Sequence, residues 1–360
     1  MALTQGESIR GRSLAVLRQG QAASGAFVAS PAFRIYDYGW LRDGAFCAYA
    51  LDVVGDNARS AAFHRWVTST IEAHRPLGES AIARIAQGEV PPFEAMLPAR
   101  YTLGGEIEEV ENDDPWPNFQ IDGYGMWLWA LEQHLHGSSV PGELAATIEL
   151  VAGYLAATWQ LECWSCWEEF QGGEHTSTLA AAFAGLAAAA RLLDDARWDV
   201  EATKIREALL RRFTVAGRFG RGPADERVDG SLAWLSVPFG VLPPDDPRIV
   251  STIETIKRDL IGPGGGVYRY LGDTYYGGGE WLLLTSSLAW HEAVAGNSGA
   301  AEELRRWVRA QATAGGDLPE QVTGDAQEPA MVESWVERWG PVANPLLWSH
   351  AMYLISEARR

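Results

Sequence analysis

The segment Leu179-Ala-Ala-Ala-Phe-Ala-Gly-Leu-Ala-Ala-Ala-Ala190, set inside Ser177 to Leu193, decides the fold class. Alanine is the strongest helix former, and a run of small side chains lets a neighbouring backbone come close. A surface helix would carry a polar stripe, but this one is apolar nearly all round, so it belongs inside a protein built of helices. The same three-and-four spacing of apolar residues recurs on both sides of it. Upstream it covers Glu7 to Gln21, Gly44 to Val54, Ala58 to His74, Gln120 to His136 and Gly142 to Trp159. Downstream it covers Trp198 to Phe213, Ile249 to Leu260, Trp281 to Ala295, Ala300 to Ala312 and Pro345 to Ala358, with a short helix at Ser231 to Val237. No series of alternating strands competes. About a dozen helices without a linker or low-complexity tract predict one all-α domain spanning residues 1–360, arranged as an (α/α)6 toroid.

Four long connections interrupt the helices: Pro91 to Asn118, Leu161 to His175, Gly262 to Gly279 and Gly315 to Asn344, all rich in Gly, Pro, aromatic and acidic residues. Helix connections usually run to ~2–8 residues, so loops this long are expected to carry function and to gather at one end of the toroid.

Composition narrows the chemistry. The 360 residues hold 47 acidic and 29 basic side chains, a net charge of −18 that argues against a nucleic-acid or anionic-membrane partner. No stretch reaches about 18 uninterrupted apolar residues. Tryptophan is over-represented, 16 against 11 Tyr and 11 Phe, and its flat faces suit sugar rings as well as cores. The three cysteines, Cys47, Cys163 and Cys166, are too few for a disulfide framework, and Cys163 and Cys166 read as buried thiols. With no signal-like run after Met1, a cytoplasmic location is expected. No His and carboxylate set has a metal-ligand spacing, so no metal or cofactor is expected.

Five clusters can carry chemistry. Tyr36-Asp-Tyr-Gly-Trp-Leu-Arg-Asp43 sets Arg42 beside Asp43 at a helix start, where Asp43 is either an N-cap or a hydroxyl-binding carboxylate. Asp122-Gly-Tyr-Gly has the same shape, with Trp116 and Asn118 upstream. Trp167-Glu168-Glu169 places carboxyls among bulky rings, which disfavours charge and suits a general acid. Arg269-Tyr-Leu-Gly-Asp273-Thr-Tyr275-Tyr276-Gly-Gly-Gly-Glu280-Trp281 combines a fixed cation with rings and glycines. In Asp317-Leu-Pro-Glu320-Gln321, Pro319 stiffens the backbone that carries Glu320. Two such glutamates across one pocket would form an acid and base pair for glycosidic hydrolysis.

In their order these clusters, closed by Pro345-Leu-x-Trp348-Ser-His350-Ala, resemble the catalytic domain of glycoside hydrolase family 15, the glucoamylase family, from about Tyr36 to Tyr353. The resemblance implies an (α/α)6 barrel and an inverting, exo-acting α-glucosidase that releases β-glucose from a small oligosaccharide. It implies Glu168 as general acid, Glu320 as general base and Tyr36 beside the attacking water, with Tyr275 steadying it. Substrate would be held by Arg42, Asp43, Trp116, Asp122, Trp167, Glu169, Arg269 and Trp281. Inversion needs carboxyls roughly 6.5–9.5 Å apart, with Glu168 in the drier surroundings and Glu320 among hydrogen-bond donors. The β-sandwich and starch-binding module of some members are not in this sequence, so a short, imported oligosaccharide is expected rather than raw starch, with a leaning toward isomaltose over maltodextrins. The rivals are a trehalase, a lyase or a sugar epimerase on the same toroid, or a catalytically silent sugar-binding protein. His175, His291 and His350 lie in helix patterns and read as structural.

Overall fold

A computed structural model describes residues 5–108, 119–169 and 172–358. Thirteen α-helices are found among them: α1 (Gln5–Gln19), α2 (Leu41–Val53), α3 (Asn57–Ala73), α4 (Arg75–Ala86), α5 (Asp122–Leu135), α6 (Gly142–Thr158), α7 (Thr176–Leu193), α8 (Ala196–Arg212), α9 (Pro247–Leu260), α10 (Leu282–Val294), α11 (Ser298–Ala310), α12 (Ala330–Trp339) and α13 (Leu347–Ala358). A 3-10 helix, Gly230–Leu235, stands where a short helix was expected.

Contacts between elements close a ring. α2 packs on α5, α5 on α7, α7 on the 3-10 helix, that helix on α10, α10 on α13, and α13 back on α2. An outer layer of α1, α3, α6, α8, α9 and α11 lies against these six. Side-chain patterning accounts for the sorting. In α2 every residue from Leu41 to Leu51 is buried, and the same holds from Leu282 to Glu292 in α10 and from Leu347 to Glu357 in α13. Helices buried all round belong inside. In α11 only Ala301, Leu304, Arg305 and Val308 are buried, the single stripe of an outer helix. α7 is long and apolar enough, by composition alone, to cross a bilayer, but it packs within the ring between α5 and α8.

The close approach promised by the Ala-rich segment occurs where α5 crosses α7. A Cβ on Gly125 would lie 2.2 Å from the Ala181 carbonyl oxygen, and one on Gly185 would lie 2.5 Å from the Gly125 Cα. Only glycine fits there. Much of the tryptophan fills the ring's centre: Trp234 lies 5.7 Å from Trp348, which stacks on Phe46 at 5.6 Å, while Tyr49 bridges Trp129 and Trp290. Two outer helices start on side-chain caps: Asp195 accepts from the Arg197 N–H before α8, and Asp246 accepts from the Arg248 N–H at 2.9 Å with Pro247 at the first helical position of α9.

Two elements differ from expectation. Arg75–Ala86 forms α4, which is not among the expected helices; Pro76 falls in its first turn, where the missing N–H costs nothing. The expected loop Gly315 to Asn344 contains α12, an exposed helix without a buried face whose pattern is hidden by acids. Seven two-residue strands brace the connections. β1 (Gly39–Trp40) pairs with β2 (Arg100–Tyr101), β3 (Thr214–Val215) with β4 (Arg218–Phe219), and β5 (Val267–Tyr268), β6 (Glu280–Trp281) and β7 (Gln321–Val322) form one antiparallel sheet.

Candidate active site

The first residues of the inner helices face one another. Arg42 and Asp43 stand in the first turn of α2, Asp122 opens α5, Trp167 to Glu169 precede α7, Asp229 caps the 3-10 helix, Trp281 precedes α10, and Trp348 is the second residue of α13. Direct contacts link them, so all six inner helices turn their N-terminal ends to one mouth, where exposed N–H groups favour carboxylates.

Arg42 is the hub. Its Nη1 donates to Gln120 Oε1 at 2.8 Å and to Asp122 Oδ2 at 3.3 Å, its Nη2 donates to Glu168 Oε1 at 3.2 Å, and its Nε lies 3.5 Å from Asp43 Oδ2. Its guanidinium also lies over the Trp348 ring. Trp40 occupies the N-cap of α2, and Asp43 is the third helical residue. Of the two readings left open for Asp43, the cap is therefore excluded. Burial pushes its carboxyl up to about 7 against the pull of Arg42, with Glu168 and Asp122 adding repulsion.

Glu168 Oε1 accepts from Trp40 Nε1 at 2.7 Å as well as from Arg42. Its backbone has φ +62°, a left-handed conformation that costs a residue with a Cβ about 1–2 kcal/mol. The adjacent Glu169 accepts from Arg269 Nη2 at 2.6 Å and from the Tyr270 hydroxyl. Arg269 is fully buried and bidentate on Asp273, at 2.6 and 2.7 Å, with its guanidinium 5.5 Å from the Trp167 ring and 4.9 Å from Trp281. Trp167 and Trp281 lie 5.6 Å apart, and Trp167 is fixed by donation to Asp229 Oδ2 at 2.8 Å.

Glu320 lies immediately before β7. Its Oε1 accepts from the Tyr36 hydroxyl at 3.0 Å, and Tyr36 stands 2.9 Å from the Tyr275 hydroxyl. Because Tyr36 has one proton and gives it to Glu320, Tyr275 supplies the proton of the second bond. Glu320 Oε2 is buried and has no hydrogen-bond partner. Burial pushes this carboxyl up to about 8; the Tyr36 bond and the Arg269 charge pull it down, and Asp43 opposes them. Both acids act on one phenol, since Glu320 and Glu168 each raise the Tyr36 pKa. The side chains expected to meet therefore lie on one network.

The expected division of surroundings is corrected. Glu320, only 3% exposed, is the dry carboxyl, whereas the Glu168 side chain is 19% exposed and accepts from an indole and a guanidinium. The cause is position: Glu168 stands at the rim before α7, whereas Glu320 lies beneath two tyrosines. Asp122 and Glu168 stand against the Arg42 guanidinium and Glu169 and Asp273 against that of Arg269, whereas burial pushes the Asp43 and Glu320 carboxyls up.

Trp116, expected in the substrate pocket, lies outside the described residues. Trp40, Gln120, Asp229 and Tyr270 were not singled out. Trp40, Gln120 and Tyr270 fall within the quoted motifs, and only Asp229 had no signal. Cys163 and Cys166 are buried free thiols. His350 bonds Ser13 and the Leu318 N–H, and His175 bonds the Cys163 carbonyl, each a tie within the fold.

A mouth lined by paired carboxyls, two buried guanidiniums and tryptophan walls at one end of an α/α ring defines a carbohydrate-processing site. The chain belongs to the glycosyl hydrolases family 15, whose model matches residues 12–328, and it is a glycoside hydrolase. It is 41% identical over 352 residues to an isomaltose glucohydrolase of Kribbella flavida, covering 95% of this chain and 90% of that one. A glycosidase variant solved in complex with glucose superposes with a TM-score of 0.93 at 39% identity, covering 99% of this chain and 96% of the other. A bacterial glucoamylase solved with acarbose shares the fold, with a TM-score of 0.74 at 20% identity over 97% of this chain and 55% of that one.

Proposed function

We propose that this glycoside hydrolase removes single glucose units from the non-reducing end of short α-gluco-oligosaccharides, preferring an α-1,6 link such as that of isomaltose, with inversion to β-glucose. The relative that acts on isomaltose supports the linkage, and the family supports exo-action. One observation carries the mechanism: Glu320 is anchored through one oxygen by Tyr36 while its other oxygen is buried without a partner.

In this reading Glu320 Oε2 takes the proton of a water that attacks the anomeric carbon, and Glu168 protonates the departing oxygen. Inversion sets the two carboxyls on opposite faces of the sugar with room for that water. Arg42, Asp43 and Asp122 grip the hydroxyls of the terminal glucose by charge-assisted hydrogen bonds. A hydroxyl that takes over Arg42 Nη2 releases Glu168 Oε1 from its cation and frees this carboxyl to face the leaving oxygen. Glu169 and Arg269 hold the sugar on the departing side, Trp167 and Trp281 form flat walls, and Tyr36 and Tyr275 orient the base. The reading needs no cofactor and places the enzyme in the cytoplasm, acting on imported oligosaccharide.

The test is incubation with isomaltose, maltose, kojibiose, nigerose and trehalose, following the anomer released by NMR. Faster β-glucose release from isomaltose is expected. Initial α-glucose would refute inversion, an unsaturated product would indicate a lyase, and inertness toward all five would indicate a binding protein.

A further inference from the structure

At the ring's other end three side chains converge that the sugar chemistry does not use. Asp52 lies near the C-terminus of α2 and His134 near that of α5, about 15 Å and about 18 Å along their helices from Arg42 and Asp122 at the mouth. His64 projects toward them from α3. One potential ligand atom from each of the three lies within 4.8 Å of the other two. Asp52 is held in place: its Oδ2 accepts from Ser60 Oγ at 2.7 Å, and its Oδ1 lies 2.9 Å from His134 Nδ1. The two imidazole rings are 5.0 Å apart.

His64 is the unexplained member. It is 4% exposed, and neither of its ring nitrogens has a hydrogen-bond partner. An unsatisfied buried polar atom costs about 1–3 kcal/mol, which a purely structural histidine normally avoids. Burial and the neighbouring His134 hold its ring pKa down at about 3, so the ring is neutral with a lone pair to offer. His134 and Asp52 are partly exposed, leaving a route from solvent.

We propose that Asp52, His64 and His134 form a binding site for a divalent cation of the zinc type, fastening α2, α3 and α5 together at the end remote from the sugar. Two imidazoles and a carboxylate suit zinc and its transition-metal neighbours rather than calcium or magnesium, which prefer oxygen. Metal–ligand bonds of about 2.0–2.2 Å set neighbouring ligand atoms about 3.3 Å apart, so His64 draws in while the Asp52–His134 pair, now 2.9 Å apart, opens slightly, both within reach of side-chain rotation. The Ser60 bond orients the carboxylate, and three protein ligands leave the fourth position for water. The ligands come from three separate helices, which is why no spacing in the sequence betrayed the site.

The test uses chelator-stripped full-length enzyme titrated with zinc or cobalt(II) alone. One equivalent should bind, cobalt should develop the visible absorption of a low-symmetry nitrogen and oxygen site, and zinc should raise Tm by a few degrees without changing kcat on isomaltose. His64→Phe and His134→Gln should each weaken binding at least 100-fold and abolish the Tm gain while keeping glucosidase activity. Absence of one-equivalent binding at 100 μM metal, or undiminished binding in both folded variants, overturns the proposal. If the variants do not fold, anomalous scattering from zinc-soaked wild-type crystals decides it: a peak between the two imidazoles supports the site, and zinc bound only elsewhere refutes it. Loss of sugar hydrolysis would leave these readouts unchanged, so the two proposals fail separately.

Discussion

Replacing Tyr36 by Phe removes the hydroxyl that donates to Glu320 at 3.0 Å and leaves the ring in place. A hydrogen bond to a charged group is worth about 1.5–3 kcal/mol, more than a neutral one. The lost bond stabilised the ionised base, so its loss favours the protonated form and pushes the Glu320 carboxyl still higher, adding to the burial that already holds it at about 8. At 1.36 kcal/mol per pH unit, the acid limb of the kcat/KM profile should move upward by about one to two units. The assay is kcat/KM for isomaltose from pH 5 to 9 in wild type and variant, with circular dichroism as a folding control. At pH 6 the loss should be about 10- to 100-fold, and it should shrink as pH rises because the base then ionises in both enzymes. Tyr275→Phe should move the limb the same way by less, since Tyr275 lowers the Glu320 carboxyl less than Tyr36 does. A loss of equal size at every pH, or an unmoved limb, would refute the role given to Tyr36.

Four further outcomes are expected. Glu168→Ala and Glu320→Ala should each lower kcat by about 10²–10⁴, and azide should restore part of the Glu320→Ala loss by attacking in place of water, giving the inverted β-glucosyl azide, measured by NMR. Glu320→Gln should stabilise the fold at pH 8 but not at pH 4: the folded carboxyl titrates near 8 and the unfolded one near 4.5, so the folded state binds the extra proton and loses stability as pH rises between them. The gain should be a few kcal/mol in urea melts, and an equal gain at both pH values would contradict the burial argument. Gly125→Ala should destabilise by about 1–3 kcal/mol or more despite better helix propensity, because its Cβ would meet the Ala181 carbonyl; chemical denaturation checks this. Arg269→Lys should raise KM strongly, as an ammonium cannot keep the bidentate grip on Asp273 and reach Glu169 together.

The helices were legible from periodicity, but their sorting was not: α10 is buried on every side although it carries Thr285, Ser286, Ser287, His291 and Glu292, whereas α9 and α11 bury one stripe. α12 escaped notice because Glu333 and Glu337 dilute a pattern that buries no face. The inner position between α7 and α10 is taken by only six residues of 3-10 helix, too short for periodicity to show its place. The site was legible for a related reason: residues at helix starts sit in recognisable loop-to-helix motifs, and all six starts meet at one mouth. Relative dryness was not legible, because the residues covering Glu320, Tyr36 and Tyr275, come from distant segments. The Trp40 indole that holds Glu168 lay inside a quoted motif, yet its aim depends on the β1 pairing with β2.

Glu168 occupies a backbone conformation that glycine would adopt at no cost. A population of variants screened for heat tolerance alone would therefore meet an early and rewarding change at this codon, and with Glu168 as the proposed acid it is expected to silence the enzyme. Any programme to toughen this scaffold needs a turnover screen in the same round, or it will enrich well-behaved, inert barrels.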